Sequence, residues 1–331
     1  MVRLKRAGRD DLTIVRVRRG RGFSYVDVAG EAIRDADLVA RIRSLGIPPA
    51  WSDVRIAQNG RHHIQALGKD AAGRLQYIYH PDWEERRRAR KQQQLALLSD
   101  ALPRIRRRVR DDLEAEAGSK RLALALGVAL IDRTAMRVGR ERYLETNGTR
   151  GAGTLFTRDV SVAGDTVSIR FPAKSGKKAS YQLVDARVAA AITRVKSIPG
   201  QRLLMYRNAE GQPRAIRTDD LCRYLRDIAG ASITAKDFRT LHASALAAEA
   251  LARLEPASSA SGRKRQMAEV TRQVATFLQN TPAICRASYI TPCLFALFDK
   301  GKLGTMWAAV TVTRGLRQRE ARLSGVLAVA G

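Results

Sequence analysis

Arg137, Lys174, Arg239 and Tyr289 are the side chains of this sequence whose types and order could do chemistry. The chemistry they suit is the opening of a phosphodiester without a metal ion. That reaction needs a nucleophile, cations on the non-bridging oxygens and an acid for the departing oxygen. Arginine suits the second task because its planar fork matches two oxygens and stays charged. Lysine suits the third when neighbouring cations lower its pKa. A free phenol titrates at roughly pH 10, so cations must also help a tyrosine lose its proton. Arg137 opens Arg137-Val138-Gly139-Arg140-Glu141-Arg142-Tyr143, and Lys174 lies in Phe171-Pro172-Ala173-Lys174-Ser175-Gly176. Arg239 lies in Lys236-Asp237-Phe238-Arg239-Thr240-Leu241-His242, and Tyr289 closes Asn280-Thr281-Pro282-Ala283-Ile284-Cys285-Arg286-Ala287-Ser288-Tyr289. Taken singly, each is an ordinary surface residue of a basic protein.

Other chemistries find little support. The three cysteines, Cys222, Cys285 and Cys293, are odd in number and lack metal-ligand spacing, which points to a reducing compartment without a disulfide framework. Asp111-Asp112 and Asp219-Asp220 are neighbours that point apart on a helix, and read as surface and capping residues. His62-His63 falls in a strand candidate, where the two rings face opposite ways. No phosphate-binding loop of the nucleotide-hydrolysing kind occurs. No metal and no cofactor is expected.

The elements that must position these residues can be read coarsely. Residues 1 to about 82 read as mixed strand and helix. Strands are expected at Phe23–Val28, Asp53–Ala57, His62–Leu67 and Gln76–His80, with an amphipathic helix over Ala36–Leu45. Trp83–Gln94 is charged and helical in pattern, and the domain linker is placed within it, giving domains 1–88 and 89–331. The rest is mainly helical: Val188, Ile192 and Val195 sit at helical spacing, as do Met267, Val270, Val274 and Phe277. Three short strands interrupt it, Thr154–Phe156, Val167–Phe171 and Ser180–Leu183, with turns at Gly164-Asp165 and Ser175-Gly176.

The 331 residues fit two domains, and 45% hydrophobic content allows a sizeable core built on aliphatic side chains. Sixty Lys and Arg against 32 Asp and Glu give a net charge of +28, which calls for a polyanionic partner, nucleic acid above all. The first residues lack the apolar core of a signal peptide, and no uncharged run approaches a membrane span. A soluble, cytoplasmic protein is expected, on the nucleoid if the cell is bacterial.

The four segments, in this order, resemble the active-site blocks of the type IB DNA topoisomerases of the small, poxvirus-like kind also found in bacteria. Ile47-Pro48-Pro49-Ala50-Trp51 and Gly68–His80 resemble blocks of that family's amino-terminal DNA-binding domain, so the likeness runs from about residue 20 to about residue 300. The resemblance implies an α+β protein. A small amino-terminal domain carries a twisted antiparallel sheet. A larger, mostly helical catalytic domain carries a small three-stranded sheet and is related to the tyrosine recombinase catalytic fold. Together they close on duplex DNA like a clamp. It implies that Tyr289 forms a 3′-phosphotyrosyl bond, that Arg137 and Arg239 hold the non-bridging oxygens, and that Lys174 protonates the leaving 5′-oxygen. The strand then rotates and is religated without ATP or metal. The lysine directly after Phe-Pro-Ala matches the family position, rather than Lys177 or Lys178.

One departure stands nine residues before Tyr289, where the family often has His and this chain has Asn280. An amide can donate a hydrogen bond to a phosphate oxygen but cannot carry a proton at neutral pH. His242, one helical turn after Arg239, reads as a structural residue rather than a catalyst. Arg74, Gln76, Tyr77, Tyr79 and Tyr143 match DNA-contact positions of the family, although strand alternation sets Gln76 opposite Tyr77 and Tyr79. Trp51 reads equally as core or interface. A tyrosine site-specific recombinase shares the catalytic logic, but its usual His-x-x-Arg is here Lys236-Asp237-Phe238-Arg239. A non-enzymatic architectural DNA-binding protein would explain the charge but not the ordered set. The expected partner is double-stranded DNA, with monomeric action and no membrane or small-molecule cofactor.

Overall fold

The computed structural model describes residues 3–173, 176, 178–311 and 316–330. The chain divides into two compact units, Met1–Arg90 and Lys91–Gly331.

The first unit is built on a five-stranded antiparallel sheet in the order β2-β1-β3-β4-β5. The strands are β1 (Ile14–Arg19), β2 (Gly22–Val26), β3 (Ser52–Ile56), β4 (Ile64–Lys69) and β5 (Leu75–Tyr79). Helix α1 (Ala36–Ser44) is capped by the Asp35 carboxylate, which accepts from the Asp37 and Leu38 amides. Alternation sorts the side chains onto two faces. Ile14, Val54, Ile56 and Ala66 pack with Ile42 of α1, with Trp51 and Ile78 against them. Leu12, Ala57, Ile64 and Leu67 form the second cluster, with Tyr79 at its margin. Trp51 is thus a core-packing residue. Strand β1, inside the edge strand β2, was not foreseen, because its Ile-Val-Arg-Val-Arg-Arg run looks charged although Ile14 is 1% exposed.

The second unit begins within α2 (Pro81–Asp112) and is mostly helical. Its buried axis is formed by α3 (Lys120–Thr134) and α7 (Ala235–Ala252), both apolar around most of their circumference. Around them lie α4 (Glu141–Asn147), α5 (Ala186–Lys196), α6 (Thr218–Ala229) and α8 (Ala260–Phe277). The single turn α9 (Pro282–Ile284) leads to α10 (Pro292–Asp299), α11 (Leu303–Ala309) and α12 (Gln318–Ala330). The expected stripe of α5 is buried, as are Met267, Val270 and Val274 of α8, whereas Phe277 is exposed.

The small sheet has the order β6-β7-β8, from β6 (Val160–Ala163), β7 (Thr166–Pro172) and β8 (Lys178–Val184). A further hairpin pairs β9 (Met205–Arg207) with β10 (Pro213–Ala215). The strand expected at Thr154–Phe156 is displaced to β6. Ala152–Thr154 forms a tight helical turn instead, because the Gly151 amide donates to Thr154 Oγ1 at 3.0 Å. Asp112, expected at the surface, is buried and accepts from Arg108 Nε and the Tyr224 hydroxyl, each at 2.8 Å. Among the described residues, no helix is long and apolar enough to cross a membrane.

Candidate active site

Arg137 follows the end of α3. The helix closes at Ala135, which adopts φ 53°, a left-handed conformation uncommon outside glycine. The Arg137 backbone is then pinned to the next loop, because the Ala152 amide donates to Arg137 O at 2.9 Å and the Gly153 amide to Val138 O at 2.7 Å. Gly151 lets the two backbones touch, since a Cβ there would collide with Arg137 O and the Gly139 nitrogen.

Arg239 projects from the first turns of α7 and is 2% exposed. Its Nη1 donates to Ala135 O, and its Nη2 donates to Leu278 O at 3.1 Å. Its buried Nε has no hydrogen-bond partner among the described residues. Of the two carbonyl anchors, Ala135 is itself left-handed, and Leu278 is directly followed by Gln279 at φ 50°. Asn280 comes next. Its Oδ1 accepts from the Thr281 amide, while its buried Nδ2 has no partner among the described residues, leaving a donor for an anion's oxygen.

Tyr289 closes a π-helical turn, Cys285–Tyr289, that ends with the Ile290 amide donating to Cys285 O at 3.0 Å. Such turns re-aim a side chain within an otherwise helical path. Three bonds hold the segment after it. Ser244 Oγ of α7 donates to Tyr289 O and accepts from the Thr291 amide, both at 3.1 Å. Lys91 Nζ donates to Ile290 O at 3.0 Å. Burial and the charge of Lys236 push Lys91 down to about 8.

These elements bring Tyr289, Arg239 and Arg137 together. The Arg239 guanidinium lies 4.9 Å from the Tyr289 ring centroid. Arg137 is lowered from its ordinary value by burial and by the charge of Arg239. Burial holds the Tyr181 phenol of β8 above its ordinary range against the pull of Arg239 and Arg137, so it stays a neutral donor. Among the described residues, no carboxylate forms an ion pair with Arg137 or Arg239. Two adjacent guanidiniums, one buried, without a counter-ion form a site that an anion would neutralise. Lys174 lies outside the described residues.

Behind the arginines lies a buried ionic cluster. Arg106 of α2 bonds Asp132 of α3 at 2.8 Å and Glu320 of α12 at 2.7 Å. His242 Nε2 is 3.7 Å from Asp132 and its Nδ1 is 3.9 Å from Glu320, so His242 is wedged between carboxylates rather than turned to the Tyr289 ring. Asp132, His242 and Glu320 are close enough to ligate one ion, but the Arg106 fork already bonds both carboxylates.

The remaining expected residues lie elsewhere. In the first unit, Tyr77 and Tyr79 stack at 5.9 Å, while Gln76 faces the other side of β5, as alternation requires. Arg74 Nε and Gln76 Nε2 both donate to Asp70 Oδ2 at 2.9 Å, so one carboxylate, overlooked in the sequence, fixes both. The bond from Arg74 lowers Asp70 to about 2. In the second unit, Tyr143 of α4 is exposed and accepts from Arg142 at 2.6 Å. Tyr181, Ser244 and the Asp132 cluster carry no sequence signal of their own, because packing alone brings them to the site.

Residues 81–291, more than half of the chain, match the family described as eukaryotic DNA topoisomerase I, catalytic core. Residues 22–70 match the family described as bacterial DNA topoisomerase IB, N-terminal domain. The chain is also similar to a protein named DNA topoisomerase 1B from Acanthamoeba polyphaga mimivirus. The two are 27% identical over 268 residues, which cover 79% of this chain and 80% of the relative.

Proposed function

The chain belongs to the type IB DNA topoisomerases, and from that membership we propose that it relaxes supercoiled duplex DNA through a transient 3′-phosphotyrosyl bond at Tyr289. The phenol gives up its proton to solvent and its oxygen attacks the scissile phosphorus, the P–O5′ bond breaks, and the 5′-oxygen takes a proton from Lys174, which solvent then restores. Arg137 and Arg239 neutralise the non-bridging oxygens as charge builds there. Asn280 donates its free Nδ2–H to the same phosphate and carries no proton. The free 5′ end rotates, and attack of its hydroxyl on the phosphotyrosine restores the strand. Bond energy stays in the phosphotyrosine, so neither ATP nor a metal ion is consumed. Arg74, Gln76, Tyr77, Tyr79 and Tyr143 are proposed to contact the duplex.

The observation that carries this reading is the arginine pair beside the Tyr289 ring, without a carboxylate to neutralise it. The test is relaxation of supercoiled plasmid by the full chain in EDTA without ATP. Detergent then traps the adduct, and the linked peptide is sequenced. Relaxation with DNA bound through its 3′ end to Tyr289 is the expected result. Dependence on added metal, or a 5′ linkage, would overturn the mechanism.

The Arg137 loop yields a second expectation. Gly151→Ala forces the Arg137–Gly139 backbone away from residue 151 and should cost about 1–3 kcal/mol of stability by overpacking. A displacement of this kind should slow cleavage roughly 100-fold at saturating DNA. The thermal midpoint and single-turnover cleavage check both, and wild-type cleavage would refute the role of this contact.

A further inference from the structure

Gln279 occupies a backbone conformation that favours glycine, at φ 50°. A side chain held there needs a compensating reason, and strain of this kind gathers at functional sites. Its carboxamide makes two bonds across the unit. Gln279 Nε2 donates to Ser180 O at 2.8 Å, and the Ser180 amide donates to Gln279 Oε1 at 3.3 Å. Ser180 lies on β8, the edge of the small sheet, so its outward N–H and C=O have no strand partner on that side. The glutamine side chain completes the edge as a further strand would.

The two things thus joined belong to one site. On one side, Gln279 stands between Leu278, whose carbonyl holds Arg239, and Asn280, whose Nδ2 is free. On the other side, Ser180 precedes Tyr181, whose phenol faces Arg239 and Arg137. Strands β7 and β8 pair up to Pro172 and Lys178, and Lys174 falls in the sequence between them.

We infer that Gln279 is a positioning residue: its carboxamide fastens the β7–β8 hairpin, and through it the acid Lys174, to the backbone that carries Arg239 and Asn280. This rests on the reading of Lys174 as the acid that protonates the 5′-oxygen. Removing the clip lets the hairpin drift while Tyr289 and the arginines stay in place. The defect is then confined to the proton delivered to the leaving group.

The test compares wild type, Gln279→Gly, Gln279→Ala and Lys174→Ala, each as the full chain. The substrate is a duplex spanning the wild-type cleavage site, mapped by detergent trapping, with either an ordinary or a 5′-bridging phosphorothiolate bond there. A thiolate departs without a proton, so the sulfur substrate bypasses the acid. Gln279→Gly suits the left-handed backbone and should keep the wild-type thermal midpoint and DNA affinity. Its cleavage of the ordinary bond should fall about tenfold, less than the roughly 100-fold of a group displaced by a full ångström, and sulfur should restore it to within about twofold of wild type. Gln279→Ala should show the same kinetic pattern with a lower midpoint. An unchanged rate in Gln279→Gly, or an equal loss on both substrates while Lys174→Ala is rescued, would overturn the role of Gln279. Failure of sulfur to rescue Lys174→Ala would instead overturn Lys174 as the acid, and the inference with it.

Discussion

Tyr289→Phe should bind duplex DNA as wild type does and release no supercoils. The phenyl ring keeps its place 4.9 Å from Arg239, and the hydroxyl it loses makes no hydrogen bond to a described residue. Stability should therefore stay within about 0.5 kcal/mol of wild type. The affinity of a chain with a charge of +28 comes mainly from phosphate contacts, so the salt dependence of binding should not move either. Chemistry is another matter. Without the phenol oxygen no covalent bond to the 3′-phosphate forms, and a loss of roughly 10⁴-fold or more is the scale seen when a nucleophile is removed. Tyr181 is the other phenol near the arginines, but burial keeps it protonated and its place on β8 is fixed by pairing with Ile169. Plasmid relaxation with detergent trapping measures the result. Relaxation within tenfold of wild type would sink Tyr289 as nucleophile and direct attention to Tyr181.

Tyr289, Arg137, Arg239 and Asn280 stand out through the resemblance of their sequence blocks to the type IB family, since each alone is an ordinary residue of a basic protein, and the fold brings the first three together. Gln76 opposite Tyr77 and Tyr79 was likewise legible, because strand alternation leaves no choice. Strand β1 was not, since its arginines conceal an alternation anchored by Ile14 alone at full burial. The error at Thr154–Phe156 has a similar source. A β-branched and aromatic run reads as a strand, but the touching backbones of Gly139 and Gly151 impose a turn. Gln279 and Asp70 act through side-chain bonds to partners that a linear reading cannot weigh. The hardest case is the cluster of Arg106, Asp132, His242 and Glu320. Its members come from four helices and meet only after the core has formed.

That cluster should make Asp132 the most costly side chain to remove. Asp132 is 3% exposed and Glu320 1%, so their charges are held far from water and depend for compensation on Arg106, with Arg133 and Arg317 beside it. Burial alone would raise the Asp132 carboxyl, but His242 and the Arg106 and Arg317 cations outweigh it and hold it well below the usual range. Asp132→Ala leaves Arg106 facing Glu320 alone and removes the acceptor of the bond that Arg133 Nη1 donates to Asp132 Oδ2 at 2.9 Å. Breaking a buried pair from one side costs about 3–5 kcal/mol, more than a surface pair could return, because the remaining charge stays desolvated. The sign of the pH dependence follows. A carboxyl depressed by folding adds stability that is present above its unfolded value of about 3.9 and is lost as pH falls through the lower folded value. Wild type should therefore shed this contribution only below about pH 4, and the gap in thermal midpoint between wild type and Asp132→Ala should narrow there. A stability loss below about 1 kcal/mol at pH 7, or a midpoint gap that does not change in acid, would show that the cluster does not brace the fold. The same argument gives weight to α12. It lies beyond residues 81–291, which match the topoisomerase catalytic core, yet it supplies Glu320 to the carboxylate pair behind Arg239 and Arg137.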